Sequence, residues 1–188
     1  MKDITIRRVG DERELHGIKV LQDANRIALI SPDEAQREGF VTASYSSAFL
    51  REMHVLQPSV IAIRDEVVVG YALVADARVR GRHDLLDGLF EALDAMTWQG
   101  NPPDPNRVVL VGQLCVAKPY RGMGLPKRMY QYFKDCLSSQ YEVCVTDVSE
   151  ENPRSLKVHL RCGFHIADTL SYGGSAWHVV VWDWRDSH

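Results

Sequence analysis

Nowhere in these 188 residues do about 18 apolar residues follow one another, the least that a membrane-crossing helix requires. The start, Met1-Lys-Asp-Ile-Thr, has no apolar leader segment, so the expectation is a cytoplasmic protein with no membrane partner. Charge of one sign is also missing: 22 Lys and Arg are interspersed with 25 Asp and Glu, for a net charge of −3. No basic stripe is left to meet nucleic acid, and none is expected as a partner. Cysteine is scarce, with Cys115, Cys136, Cys144 and Cys162 and no CxxC spacing. That speaks against a zinc centre or a disulfide framework, and no metal is expected. Cys115 and Cys144 fall in apolar runs and read as core thiols. The phosphate loop GxxxxGKS or GxxxxGKT is absent, and GMGLPK lacks the third glycine of the dinucleotide fingerprint. Internal repeats and low-complexity tracts are absent too. A chain of this length that is 45% hydrophobic can bury one good core, so a single domain over residues 1–188 is expected.

What is present concentrates between residues 107 and 126, RVVLVGQLCVAKPYRGMGLP. Val108 to Val111 and Leu114 to Val116 form a β-rich apolar run of the kind found inside a sheet. Arg121-Gly122-Met123-Gly124 follows, and an amphipathic helix opens at about Leu125. A glycine turn at a helix N-terminus aims several N–H groups at one point and adds the helix dipole, which favours a phosphate. Arg121 and Lys127 add positive charge on either side. The residues alone leave two readings, an anion site fed by a strand, or a strand–helix connection where glycine only permits a tight reversal.

Two motifs in order favour the first reading. VAKPYRGMGLP resembles the cofactor motif of the GNAT superfamily of acyl-CoA-dependent N-acyltransferases, Gln/Arg-x-x-Gly-x-Gly/Ala, with Arg121, Gly124 and Pro126 at its defined positions. Asn152-Pro-Arg-Ser155-Leu-Lys-Val-His159-Leu-Arg-Cys-Gly163-Phe164 is similar to the second signature, NxxAxxxYxxxGF, with the same spacing throughout. The resemblance covers residues 107–184 closely and residues 1–75 by element order. It implies an α/β fold with a central, mostly antiparallel sheet of six to seven strands, splayed at a cofactor cleft and flanked by helices. It also implies acetyl-CoA as acyl donor and a small-molecule amine or a protein amino group as acceptor, with a homodimer left open.

The same resemblance distributes the tasks. Backbone groups of Leu114, Cys115 and Val116 would pair with the pantetheine as another strand does. Pyrophosphate would rest on the N–H groups of Arg121, Gly122, Met123, Gly124 and Leu125. Pro126 stands where the family has Gly or Ala; it suits the first turn of a helix but has no N–H to give. Ser155 replaces the alanine and joins the cofactor-binding set, as does Asn152, which is also the expected N-cap of its helix. His159 stands where many members carry a tyrosine that protonates the departing coenzyme A thiolate. It shares a helix face with Asn152, and an imidazole titrating near pH ~6.5 suits proton transfer. The alternatives for His159 are a packing role or a hydrogen bond to the cofactor. Asp147 is the best-placed carboxylate for a general base, and could equally cap the turn that comes after it.

Periodicity supplies the remaining elements. Ile4 to Arg8 reads as a first strand, and a helix from about Asp11 carries Leu15, Ile18, Leu21 and Ala24 on one stripe. Ser31-Pro32-Asp33-Glu34 is a capping box whose helix Gly39 closes, and a further helix spans Ser46 to Met53. A hairpin comes next, Val60 to Arg64 and Val67 to Val74 around Asp65-Glu66. Residues 84–97 read as an additional helix, before a proline-rich connection from Trp98 to Asn106. The helix after Leu125 points Met129, Phe133, Cys136 and Leu137 inward, leaving Tyr130 and Tyr132 on its surface. A strand from Tyr141 to Thr146, a helix from Asn152 to Cys162 and a hairpin through Gly173-Gly174 complete the chain. Glu150-Glu151 reads as a solvated pair, and Trp177, Trp182 and Trp184 as core, with stacking on a substrate the lesser option for Trp177 or Tyr172. Two function classes stay open, an acetyl-CoA-dependent N-acetyltransferase and a non-catalytic module that binds or senses acyl-CoA.

Overall fold

In the computed structural model residues 3–98, 100 and 103–185 are described. The leader reading at Met1 and Lys2, and Gln99, Asn101 and Pro102 of the proline-rich connection, lie outside them. One seven-stranded sheet runs through the described chain. In chain order its strands are β1 (Thr5–Arg8), β2 (Val60–Arg64), β3 (Val67–Ala75), β4 (Val108–Val116), β5 (Val143–Ser149), β6 (His165–Tyr172) and β7 (Ser175–Asp183). The order across the sheet is β1-β2-β3-β4-β5-β7-β6, with every neighbouring pair antiparallel except β4 and β5. Among the described residues six α-helices flank the sheet: α1 (Glu12–Asp23), α2 (Pro32–Glu38), α3 (Ser47–Leu56), α4 (Asp84–Ala95), α5 (Leu125–Leu137) and α6 (Pro153–Arg161).

Alternation along the strands sends side chains to two cores. Tyr71, Leu73, Leu110, Val145, Trp177 and Val179 meet α1, α3 and α4 on one face. Ala72, Val74, Val109, Val111, Cys144 and Val180 meet α5 and Phe164 on the other. α5 buries Leu125, Met129, Tyr130, Phe133 and Leu137, and full burial of such a side chain contributes roughly 1.5–3 kcal/mol. Tyr130 therefore belongs to the core and not to the helix surface. It sits one residue past Met129 because the apolar stripe here is wide enough to take neighbours at i and i+1, with Phe133 and Phe164 packed around its ring.

Side-chain caps fix the helix starts. Asp11, Ser31, Ser46 and Asn152 each accept from a backbone N–H three residues on. The strand expected at Tyr141–Thr146 starts two residues later and runs on to Ser149, because β7 offers it partners from Asp183 down to Trp177. α3 extends past Met53 to Leu56. Ala24 is the exposed C-cap of α1 and not part of its buried stripe.

Two irregularities open the middle of the sheet. Between Leu73/Val74 and their partners Gln113 and Val111 the register slips, leaving Gly112 as an extra residue in β4. And β4 pairs with β5 only at Val108, Val109 and Leu110. Beyond that point Thr146 Oγ1 still donates to the Val111 carbonyl at 2.7 Å, and then the two strands part.

Candidate active site

The parting of β4 from β5 opens a cleft with an inner and an outer pocket. The inner pocket, about 60 Å³, lies between Gly112–Leu114 of β4 and Thr146–Ser149 of β5, with Asn152, Ser155 and His159 of α6 beside it. Phe40 to Ala43, Leu85 and Trp177 complete its walls. The outer pocket, about 100 Å³, continues along Leu114, Cys115 and Val116 to Arg121 and Pro126, with Asn152, Ser155 and Val158 opposite. Leu114, Asn152, Ser155, Phe40 and Val41 border both, so the two form one channel.

At the outer end the chain turns through Gly122 and Gly124, whose φ angles are +80° and +72°. This left-handed region is open to glycine without steric cost. Within the described residues the N–H groups of Gly122, Met123, Gly124 and Leu125 have no hydrogen-bond partner, and Gly124 is the N-cap of the 13-residue α5. Nothing stands within 4 Å of where a Cβ would lie at either glycine. Free donors around open space at a helix N-terminus fit a pyrophosphate. Pro126 adds its ring to the outer pocket in place of a donor. Leu125 can contribute backbone only, since its side chain is wholly buried in the core, whereas the Met123 side chain is exposed.

The Arg121 guanidinium has other duties. Nε donates to the Val116 carbonyl at 3.0 Å, Nη1 to Glu38 at 2.9 Å and Nη2 to Asn25 Oδ1 at 2.6 Å. It ties the glycine turn to the end of β4 and to the segment behind α2. Its pairing with Glu38 holds that carboxyl below the usual range. Cys115 turns its thiol into the core, where burial pushes it up to about 12, so only its backbone is available to the channel.

Asn152 spends its amide on structure: Oδ1 accepts from Ser155 N at 3.1 Å as the helix cap, and Nδ2 donates to the Phe40 carbonyl at 2.9 Å. Arg154 donates to the Arg37 carbonyl, and Lys118 pairs with Glu34. α2 and the residues after it are thus fastened to both banks of the channel. Glu34, the last residue of the expected capping box, reaches Lys118 while Ser31 alone caps the helix.

At the inner end, Asp147 lies within β5 and lines the pocket. The turn after β5 is capped by Ser149, whose Oγ accepts from Glu151 N at 3.2 Å, so the capping alternative for Asp147 does not hold. Asp147 Oδ2 is out of reach of solvent and has no partner among the described residues. Burial raises this carboxyl to about 7. Asp147 as a whole is half-buried, but the buried oxygen is the one whose charge must be desolvated.

His159 reaches the inner pocket as its helix face demands, yet its charge state differs from the expectation of a ring titrating near 6.5. Nδ1 lies 2.8 Å from the Ser155 carbonyl, which accepts its N–H and leaves Nε2 with the lone pair. Burial among Tyr130 and Phe164 lowers the imidazole to about 4, so it is neutral at pH 7. A neutral ring whose single N–H is committed to backbone has no proton ready for a thiolate.

Sequence patterns leave the acceptor region within helices 11–53 and the insertion 84–106, without singling out residues. The structure supplies Phe40 to Ala43 and Leu85. Their only local signal is Gly39, which ends α2 (φ +73°) and turns an extended segment alongside β4. Two hydrogen bonds hold that segment there: Gln113 Nε2 donates to the Ala43 carbonyl at 3.0 Å and the Tyr45 hydroxyl to the Gly112 carbonyl at 2.8 Å.

A seven-stranded sheet that opens between its one parallel pair, with a glycine turn and a helix N-terminus at the mouth, defines a class of acyltransferase-like folds. The model of the Acetyltransferase (GNAT) family matches residues 29–164, and the chain belongs to that family. No curated protein matches the chain. Among solved structures it is similar to the NatC complex bound to Gag peptide and CoA (TM-score 0.66, 16% identity, covering 96% of this chain and 98% of that one). It is also similar to yncA, a putative acetyltransferase from Salmonella typhimurium with its cofactor acetyl-CoA (0.63, 15%, 98% and 95%). Arabidopsis thaliana NAA60 in complex with acetyl-CoA is a further neighbour (0.64, 16%, 96% and 99%). At such identities the likeness concerns the fold. Among the described residues no three His, Cys, Asp or Glu side chains are grouped to hold a metal, and no helix is long and apolar enough to cross a membrane.

Proposed function

We propose that this chain is an N-acetyltransferase that moves the acetyl group of acetyl-CoA to a primary amine by direct attack on the thioester. The observation that carries the reading is one continuous channel with phosphate-type donors at its outer end and, at its inner end, a carboxylate with one buried, unpartnered oxygen. Acetyl-CoA, bound by two of the fold's neighbours, would lie along it. The N–H groups of Gly122 to Leu125 hold the pyrophosphate, while Leu114 to Val116, with no strand on their β5 side, hold the pantetheine.

Asp147 then has a defined task. An acceptor amine arrives as an ammonium and must lose one proton before its lone pair can attack the thioester carbon. Asp147, near pH 7 a mixture of both forms, takes that proton. As the new C–N bond forms and the C–S bond breaks, the nitrogen's second surplus proton ends on the sulfur. The products are the acetamide and the coenzyme A thiol. His159 holds the Ser155 turn of α6 and offers Nε2 as an acceptor; in this mechanism it is not the acid.

Calorimetric titration of coenzyme A and thiol release from acetyl-CoA with a panel of amines test the reading. Binding together with amine-dependent release is expected. Binding with no release for any amine favours the alternative, an acyl-CoA-binding module, for which the missing donor at Pro126 and the uncharged His159 speak.

A further inference from the structure

The geometry points to an acceptor of one class: an unbranched primary alkylammonium with no anionic group on the carbon that bears its nitrogen. The inference rests on the acetyl-transfer reading of the same pocket, and three features of its inner end carry it.

The first is charge. Among the described residues, Asp147 is the sole Asp, Glu, Lys or Arg bordering the inner pocket. A cationic nitrogen finds a carboxylate counterion there. A carboxylate on the neighbouring carbon, as in a free α-amino acid, finds none. His159 is neutral, and the Asn152 amide is already spent on Ser155 and the Phe40 carbonyl. Such a carboxylate would lie beside Asp147 and meet like charge in a poorly hydrated space.

The second is size. About 60 Å³ must hold the reacting groups, whereas a cavity of about 150 Å³ is what accepts benzene. Because the pocket opens into the outer one, this volume favours a methylene at the nitrogen over a ring or a branched carbon without excluding them. The third is the lining. Leu85, from the helix inserted between β3 and β4, and Trp177 present apolar surface that suits a methylene stem.

The test compares pentylamine with norleucine, which is pentylamine carrying a carboxylate on its amine carbon, and with norleucine methyl ester, which keeps the branch and loses the charge. Thiol release from acetyl-CoA is expected to give pentylamine at least about 10²-fold higher kcat/KM than norleucine, with the ester between. Norleucine turning over as well as pentylamine would overturn the inference. Titration of the same amines into the coenzyme A-loaded protein decides it even without turnover. Pentylammonium binding that weakens at least tenfold in Asp147→Asn supports it; equal binding of norleucine, or none of pentylammonium, overturns it. A protein that binds pentylammonium but not coenzyme A would instead refute acetyl transfer and leave the amine site standing.

Discussion

Asp147 and His159 are two buried ionisable groups whose protonation equilibria burial moves in opposite directions, and their pH signatures separate them. For Asp147 the folded value, about 7, lies above the ordinary 3.8. The folded chain keeps a proton that the unfolded chain releases, so this contribution to stability is whole below pH ~4 and is lost as pH rises to about 7. Asp147→Asn should therefore be more stable than the parent at pH ~8, by on the order of 4 kcal/mol, and equally stable at pH ~4. In the parent, kcat/KM should climb through pH ~7, and that limb should vanish in the variant; its persistence would assign the base elsewhere. For His159 the folded value, about 4, lies below 6.5. The unfolded chain takes up a proton first, so stability falls as pH drops from ~6.5 to ~4. His159→Phe should lose that acid sensitivity and keep turnover within about tenfold of the parent, since general acids are worth ~10²-fold or more. A loss of 10²-fold with unchanged coenzyme A affinity would restore His159 as the acid. The spacing in NxxSxxxH puts His159 in the right place. Its proton state is not legible there, because the rings of Tyr130 and Phe164 that desolvate it come from α5 and from beyond α6.

The glycine turn and α5 act as a unit among the elements. Gly124 has φ +72° with open space around it, so a side chain there meets no wall of protein; its cost is the left-handed backbone, about 1–2 kcal/mol, and collision with whatever occupies the mouth. Gly124→Val should melt slightly lower and bind coenzyme A at least tenfold more weakly. Pro126→Ala restores an N–H and should bind it at least as tightly, since a gained hydrogen bond contributes about 0.5–1.5 kcal/mol. Calorimetry on both variants checks the pair, and unchanged affinity in Gly124→Val would remove the pyrophosphate from this turn. Strand, turn and helix are legible here because the signals are local: apolar run, two glycines, amphipathic spacing. α2 is equally plain from Ser31-Pro32 and Gly39. What its C-terminal segment does is not, since its bonds to Arg121, Asn152 and Gln113 join residues 70 or more positions apart.

Across the whole molecule, the channel exists because β4 and β5 pair for three residues and then diverge, with Gly112 bulged out of register against β3. The two motifs predict a splayed sheet by resemblance. No residue pattern marks where the splay begins, because it is set by strands that meet across a helix and a crossover. The walls at Phe40–Ala43 and Leu85 come from segments before and within the first half of the sheet, so the acceptor site is legible only in three dimensions. The most direct test of acetyl transfer is mass spectrometry of the amine after incubation of the protein with acetyl-CoA and pentylamine. One N-acetylpentylamine should form for each thiol released, and the amount should fall in Asp147→Asn. Thiol release without the acetamide, or neither product from any amine of the panel despite bound coenzyme A, would contradict it.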